Sequence, residues 1–81
     1  METRVAVMGI IVEDTSSVNA LNALLHDYGK FIIGRMGIPY KQKNINIISV
    51  IIDAELNTIS SVSGKLGKLS GVTVKTAYSK K

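Results

Sequence analysis

The chain has 81 residues, 46% of them hydrophobic, 20% charged and 5% aromatic, with a formal net charge of +4 and no cysteine. At this length one small domain, 1–81, is expected, with a core limited to two thin layers because a small domain buries only a modest share of its surface. The missing cysteine excludes disulfides, thiolate metal sites and cysteine nucleophiles, and an apolar fraction this high leaves apolar surface over for a partner.

Thr3 to Val12 (TRVAVMGIIV) reads as a strand with apolar residues on both faces. Val5, Val7 and Ile11 point one way, and Ala6, Met8, Ile10 and Val12 the other. The apolar run Val5–Val12 is too short to span a bilayer, lacks a small-residue cleavage site and runs directly into Glu13 and Asp14, so neither a membrane segment nor a signal peptide is expected. A cytoplasmic protein fits this pattern.

Asp14, Thr15 and Ser16 offer capping oxygens for a first helix. Val18, Leu21, Leu24, Leu25 and Tyr28 form its amphipathic stripe, Gly29 ends it, and Asn19, Asn22 and His26 lie on the other side. Lys30 to Ile38 (KFIIGRMGI) is a strand interrupted by Gly34, Arg35 and Gly37, features that suit an edge, with Pro39 as its stop. Tyr40 to Lys43 turns the chain into Asn44 to Asp53 (NINIISVIID). Ile45, Ile47 and Ile51 occupy one face of this strand, and Ile48, Val50 and Ile52 the other. A strand apolar on both faces must be covered on both and belongs at the centre of a sheet. Asn57 is the expected cap of a second helix whose buried stripe is Ile59, Val62, Leu66 and Leu69, with Gly71 as its end. Val72 to Ser79 (VTVKTAYS) forms the last strand, a second edge, with Val72 and Val74 inward.

The element order is β-α-β-β-α-β, with two double-faced strands and two weaker ones. It predicts an α+β class, ferredoxin-like fold with an antiparallel sheet in the order 4-1-3-2 and both helices on one face, since right-handed crossovers pass on the same side. The helices then cover one sheet face while the central strands are apolar on both. Ser49 dilutes the set Ile45, Ile47 and Ile51, so that set is expected to face outward and to be covered by another copy in a homo-oligomer, a dimer or a tetramer.

The fold alone does not name a function. RNA-recognition modules stack bases on aromatics of their central strands, whereas Tyr28, Phe31, Tyr40 and Tyr78 lie elsewhere. A metal carrier of this shape needs a Cys-x-x-Cys pair. An acylphosphatase-like enzyme needs a phosphate cradle after the first strand, where Val12-Glu13-Asp14-Thr15 repels an anion, and Arg35 and Asn57 are its only supports. His26 is the single histidine and cannot complete a tetrahedral metal site. No catalytic residues, no metal and no cofactor are therefore expected. On the second helix Ser60, Ser63, Gly64, Gly67 and Gly71 recur on the side away from the apolar stripe. Interior helix glycines cost about 1 kcal/mol each against alanine, which close approach by another helix or a ligand would offset; the other reading is a weak helix with a bland exposed face. Lys65 and Lys68 flank this stripe and suit an acidic partner.

The segments Gly34-Arg35-Met36-Gly37-Ile38-Pro39-Tyr40, INIISVIID and Ser63-Gly64-Lys65-Leu66-Gly67-Lys68-Leu69 resemble the family of small regulators of the iron-only hydrogenase system, over nearly the whole chain. Members of that family are similar to ACT domains and to the C-terminal ligand-binding domain of the nickel-responsive regulator. The resemblance implies an ACT-like, transcription-related regulatory domain that senses a small-molecule effector and oligomerises. The nickel-responsive domain holds metal through histidines and a cysteine, a set that His26 alone does not reproduce. No separate DNA-binding segment precedes Arg4 or follows Lys81, and Lys41, Lys43, Lys65, Lys68, Lys75, Lys80 and Lys81 are scattered apart from the terminal pair. Both points count against direct DNA binding and favour action through a ligand or a protein partner, with DNA contact weak and salt-dependent. A structural or adaptor oligomer without ligand is the alternative, and an acylphosphatase-like enzyme a more remote one.

Overall fold

Alternation along β1 (Arg4–Val12) sorts its side chains cleanly: Ala6, Met8, Ile10 and Val12 are buried, whereas Val5, Val7 and Ile11 are exposed. The computed structural model describes residues 2–80; Met1 and Lys81, the limits of the predicted domain, lie outside the described residues, as does the contribution of Lys81 to the charge. After β1 come α1 (Val18–Asp27), β2 (Ile32–Tyr40), β3 (Ile45–Ala54), α2 (Leu56–Gly67) and β4 (Val72–Tyr78). The four strands form one sheet in the order β2-β3-β1-β4, the predicted 4-1-3-2 order read from the other edge, with all three pairings antiparallel. This is the α+β, ferredoxin-like arrangement that the two double-faced strands predict, with β1 and β3 at the centre.

One face of the sheet meets both helices. Ile48, Val50 and Ile52 of β3 join the buried residues of β1, together with Leu21 and Leu25 of α1 and Ile59, Val62 and Leu66 of α2, in a single cluster. Full burial of such a side chain contributes about 1.5–3 kcal/mol. That layer is the driving force of the fold. Lys65 ties the helices together from outside: its ammonium donates to the Tyr28 hydroxyl at 2.7 Å and lies 5.2 Å from the centre of the Tyr28 ring.

The connection from β1 into α1 is a single 3-10 turn, Thr15–Ser17, capped by Asp14, whose Oδ1 accepts from the Ser16 backbone N–H at 3.0 Å and the Ser16 hydroxyl at 2.6 Å. The Ser16 hydroxyl is the main cause holding the Asp14 carboxyl below its ordinary value. This turn is stitched to the one before β4. The Glu13 N–H donates to the Gly71 carbonyl at 2.7 Å, and the buried Ser17 donates its hydroxyl to the Ser70 carbonyl at 2.6 Å. Gly71 has φ +67°, and a Cβ there would stand 2.6 Å from the Asp14 Cβ and 2.8 Å from its backbone nitrogen, so both the torsion and the close approach require glycine.

Several boundaries differ from expectation, for local reasons. Pro39 does not stop its strand: β2 runs on through Pro39, opposite Asn46, to Tyr40. An edge strand tolerates a residue without an N–H where the outer side needs no ladder bond. The turn Lys41–Lys43 that follows is closed by Asn44 in the left-handed region, φ 55°, a conformation asparagine adopts more readily than most residues. Asn57 does not cap α2, which starts at Leu56 with Glu55 in the capping position and no side-chain capping bond. Nor does α2 reach Gly71. It ends at Gly67, and a tight turn through Leu69 and Ser70 leads to Gly71, with the Leu69 N–H donating to the Leu66 carbonyl.

Candidate functional site

Among the described residues, no helix or loop covers the second face of the sheet. The register aligns its outward residues into cross-strand rows: Ile38, Ile47, Ile11 and Thr73 across β2, β3, β1 and β4, then Met36, Ser49, Gly9 and Lys75, then Gly34, Ile51, Val7 and Ala77. Directly opposite side chains in such pairs are in packing contact, so the outer rows form apolar strips, separated by a middle row in which only Met36 is apolar. Ile38 keeps 50% of its surface exposed, Val7 44%, Ile11 43% and Ile47 39%. Ile45 and Ile51, at intermediate burial, flank Ile47 on the same face. All three isoleucines chosen from the sequence therefore point away from the helices, and Val5, Val7 and Ile11 settle the choice that the sequence of β1 leaves open.

The stripe on α2 also faces outward. Ser60, Gly64 and Gly67 are exposed and Ser63 is half-buried, and a Cβ added at Gly64 or Gly67 would meet nothing within 4 Å. Among the described residues of the subunit no other element approaches these glycines. Gly71 leaves the set, because it lies beyond the helix and its glycine is explained by Asp14. Lys65, which flanks the stripe, donates to the Tyr28 hydroxyl.

A feature the sequence does not announce lies at the β2 edge on the helix side, a cleft of about 250 Å³ between α1 and the sheet. Val18 and Asn22 of α1 form one wall, Arg35, Gly37 and Pro39 of β2 the other, and Ile48 and Asn46 of β3 line it between them. Arg35 crosses it to donate to the Asn22 Oδ1 at 2.5 Å. A smaller hollow of about 110 Å³ adjoins the cleft through Pro39 and Asn46, and Lys41 lines it. The signal in the sequence was Gly37, which falls opposite Ile48 on the buried side of the sheet and leaves a gap where a side chain is expected.

The remaining candidates stay apart. Arg35 stands on the β2 edge beside α1, whereas Asn57 lies in the first turn of α2, the helix packed over the β4 side, so the two supports of an acylphosphatase-like site do not converge. His26 is exposed near the end of α1. Among the described residues no group of three or more histidine, cysteine or acidic side chains is placed to hold a metal ion, and no helix is long and apolar enough to cross a membrane.

The profile of the TM1266-like family, described as "Iron-only hydrogenase system regulator, putative", matches residues 4–76. Among solved structures, the uncharacterized protein TM1266 from Thermotoga maritima is similar with a TM-score of 0.93 and 36% identity, covering 98% of this chain and 100% of that one. No curated protein matches the chain. The family match runs from the start of β1 into β4. The chain thus belongs to the TM1266-like family of iron-only hydrogenase system regulators.

Proposed function

We propose that the protein is a non-enzymatic regulatory domain of an iron-only hydrogenase system, acting as a symmetric homo-oligomer whose copies pack through the open sheet face and responding to a small-molecule effector. The observation that carries this reading is the exposure of Val7, Ile11, Ile38 and Ile47 on the open sheet face, on strands that also contribute to the core. Full burial of such side chains is worth about 1.5–3 kcal/mol, so covering the exposed part of each recovers about 1 kcal/mol. Several together are large beside a net stability of about 5–15 kcal/mol. A second copy is the simplest occupant, because a two-fold axis sets the same apolar rows against themselves. With lysines scattered over the chain, any DNA contact is weak and electrostatic, and the transcription-related role runs through the effector or a protein partner.

The competing reading is an adaptor that assembles in the same way and carries no ligand. Native mass spectrometry of protein purified gently from its source separates the two: a sensor shows an oligomer with a small molecule bound or accepted, an adaptor the oligomer alone. A monomer at micromolar concentration in light scattering would sink both. Ile47→Lys is expected to dissociate the oligomer while leaving the circular dichroism of the subunit unchanged. Acylphosphatase activity abolished by Arg35→Ala would replace the regulatory reading by an enzymatic one.

A further inference from the structure

We infer that the cleft between α1 and β2 is the effector site and that it takes a small carboxylate with a short branched apolar body, a proposal that rests on the sensing reading above. Arg35 is exposed at its wall, and its one side-chain hydrogen bond among the described residues is to Asn22, so the rest of the guanidinium fork stays open. A planar fork of this kind matches a carboxylate with two parallel charge-assisted bonds. The side chain of Asn46, half-buried at the adjoining wall, has no hydrogen-bond partner among the described residues and offers a further amide donor. Among the described residues no acidic side chain lines the cleft, and the neighbouring hollow adds Lys41. The local field therefore favours an anion.

The rest of the lining is apolar. Val18, Pro39 and Ile48 give apolar walls to a space of about 250 Å³, near the lower end of small-ligand pockets, which run from roughly 300 Å³ upward. Gly37 makes that space. Its backbone is not in the left-handed region, and a Cβ there would meet only the Ile48 Cγ1, at 4.0 Å. Nothing in the conformation asks for glycine at this position; what glycine does is leave the cleft empty.

The test is a nuclear magnetic resonance titration of the full chain with three probes: 3-methylbutanoate, its neutral isostere 3-methylbutanamide, and inorganic phosphate. The expected result is saturable shifts at the side-chain amides of Asn22 and Asn46 and at the Gly37 backbone N–H with 3-methylbutanoate, and binding at least about tenfold weaker for the amide and for phosphate. Arg35→Gln removes the charge, and Gly37→Val fills the space with a residue that suits a strand. Each is expected to weaken 3-methylbutanoate by at least about tenfold while the amide spectrum keeps its dispersion. Absence of saturable shifts, shifts confined to other parts of the surface, phosphate binding as tightly as the carboxylate, or undiminished binding in both variants would each overturn the assignment. A small molecule retained in native mass spectra of protein that fails this titration would remove this site and leave sensing intact, whereas failure of both removes sensing as well.

Discussion

The two faces of the sheet are made by the same strands and by almost the same residue types, yet they have opposite fates. On the helix side Met8, Ile10, Val50 and Ile52 are wholly buried; on the other, Val7, Ile11 and Ile47 of the same two strands keep roughly two fifths of their surface in solvent. Local preference cannot account for this, because β-branched residues favour strands on either face. The difference is set by two crossovers of the same hand, which place both helices on one side. One face is covered by the chain's own helices, while no element among the described residues covers the other.

Paired truncations on adjacent residues test that contrast most directly. Ile10→Ala should cost about 2–5 kcal/mol in urea denaturation, because it opens a cavity in a packed layer, and the cost should not change with protein concentration. Ile11→Ala should cost less than about 1 kcal/mol in a dilute subunit and progressively more as concentration rises, the signature of an interface. Equal, concentration-independent losses at the two positions would mean that the faces do not differ in kind.

Gly71→Ala is expected to destabilise by about 1–3 kcal/mol from the backbone conformation alone, and by more if the Asp14 backbone cannot yield. Because it lies at the loops and on neither face, the oligomer proposed above should survive it in light scattering at temperatures where the subunit is folded. Gly64→Ala sharpens the status of the α2 stripe. In a free subunit the alanine adds about 0.5–1 kcal/mol of stability, since helix propensity improves and nothing obstructs the methyl group. If a second copy packs on the stripe, the same change weakens assembly. The smallest effect is expected at Thr76, opposite Met8 on β4, whose hydroxyl is buried with no hydrogen-bond partner among the described residues. Thr76→Val removes that unsatisfied group and should leave thermal stability unchanged or raise it by less than about 1 kcal/mol.

Much of this architecture was legible because period-two patterning survives in β1 and β3 and the apolar spacing of both helices is regular. The sheet order followed from which strands were apolar on both sides. The orientation of β3 could be read as well, since Ser49 marks the less demanding face, whereas β1 offers two apolar sets and no polar residue between them to choose by. Ends of elements were harder. Glu55 starts α2 without a capping bond, in place of the better capping residue Asn57, because the entry of the chain is fixed by β3 and the core rather than by local hydrogen bonding. Pro39 reads as a stop only if its strand is assumed to need every N–H. The cleft was illegible for another reason: Asn22 and Arg35 belong to different elements, and what defines the site is the side chain that Gly37 lacks.

The pairing of β1 with β4 joins strands from opposite ends of the described chain, Val12 against Val72 and Ala6 against Tyr78, and the Ser79 N–H reaches the Val5 carbonyl at 2.8 Å. Until β4 docks, β1 presents a bare hydrogen-bonding edge on the side away from β3. Topologies dominated by such distant pairings fold slowly, because the entropy of closing a long loop is lost before its contacts form. The exposed intermediate carries two unmet demands at once, an open edge and an apolar face, so the window before β4 docks is when the folding chain is most prone to pair with the wrong neighbour.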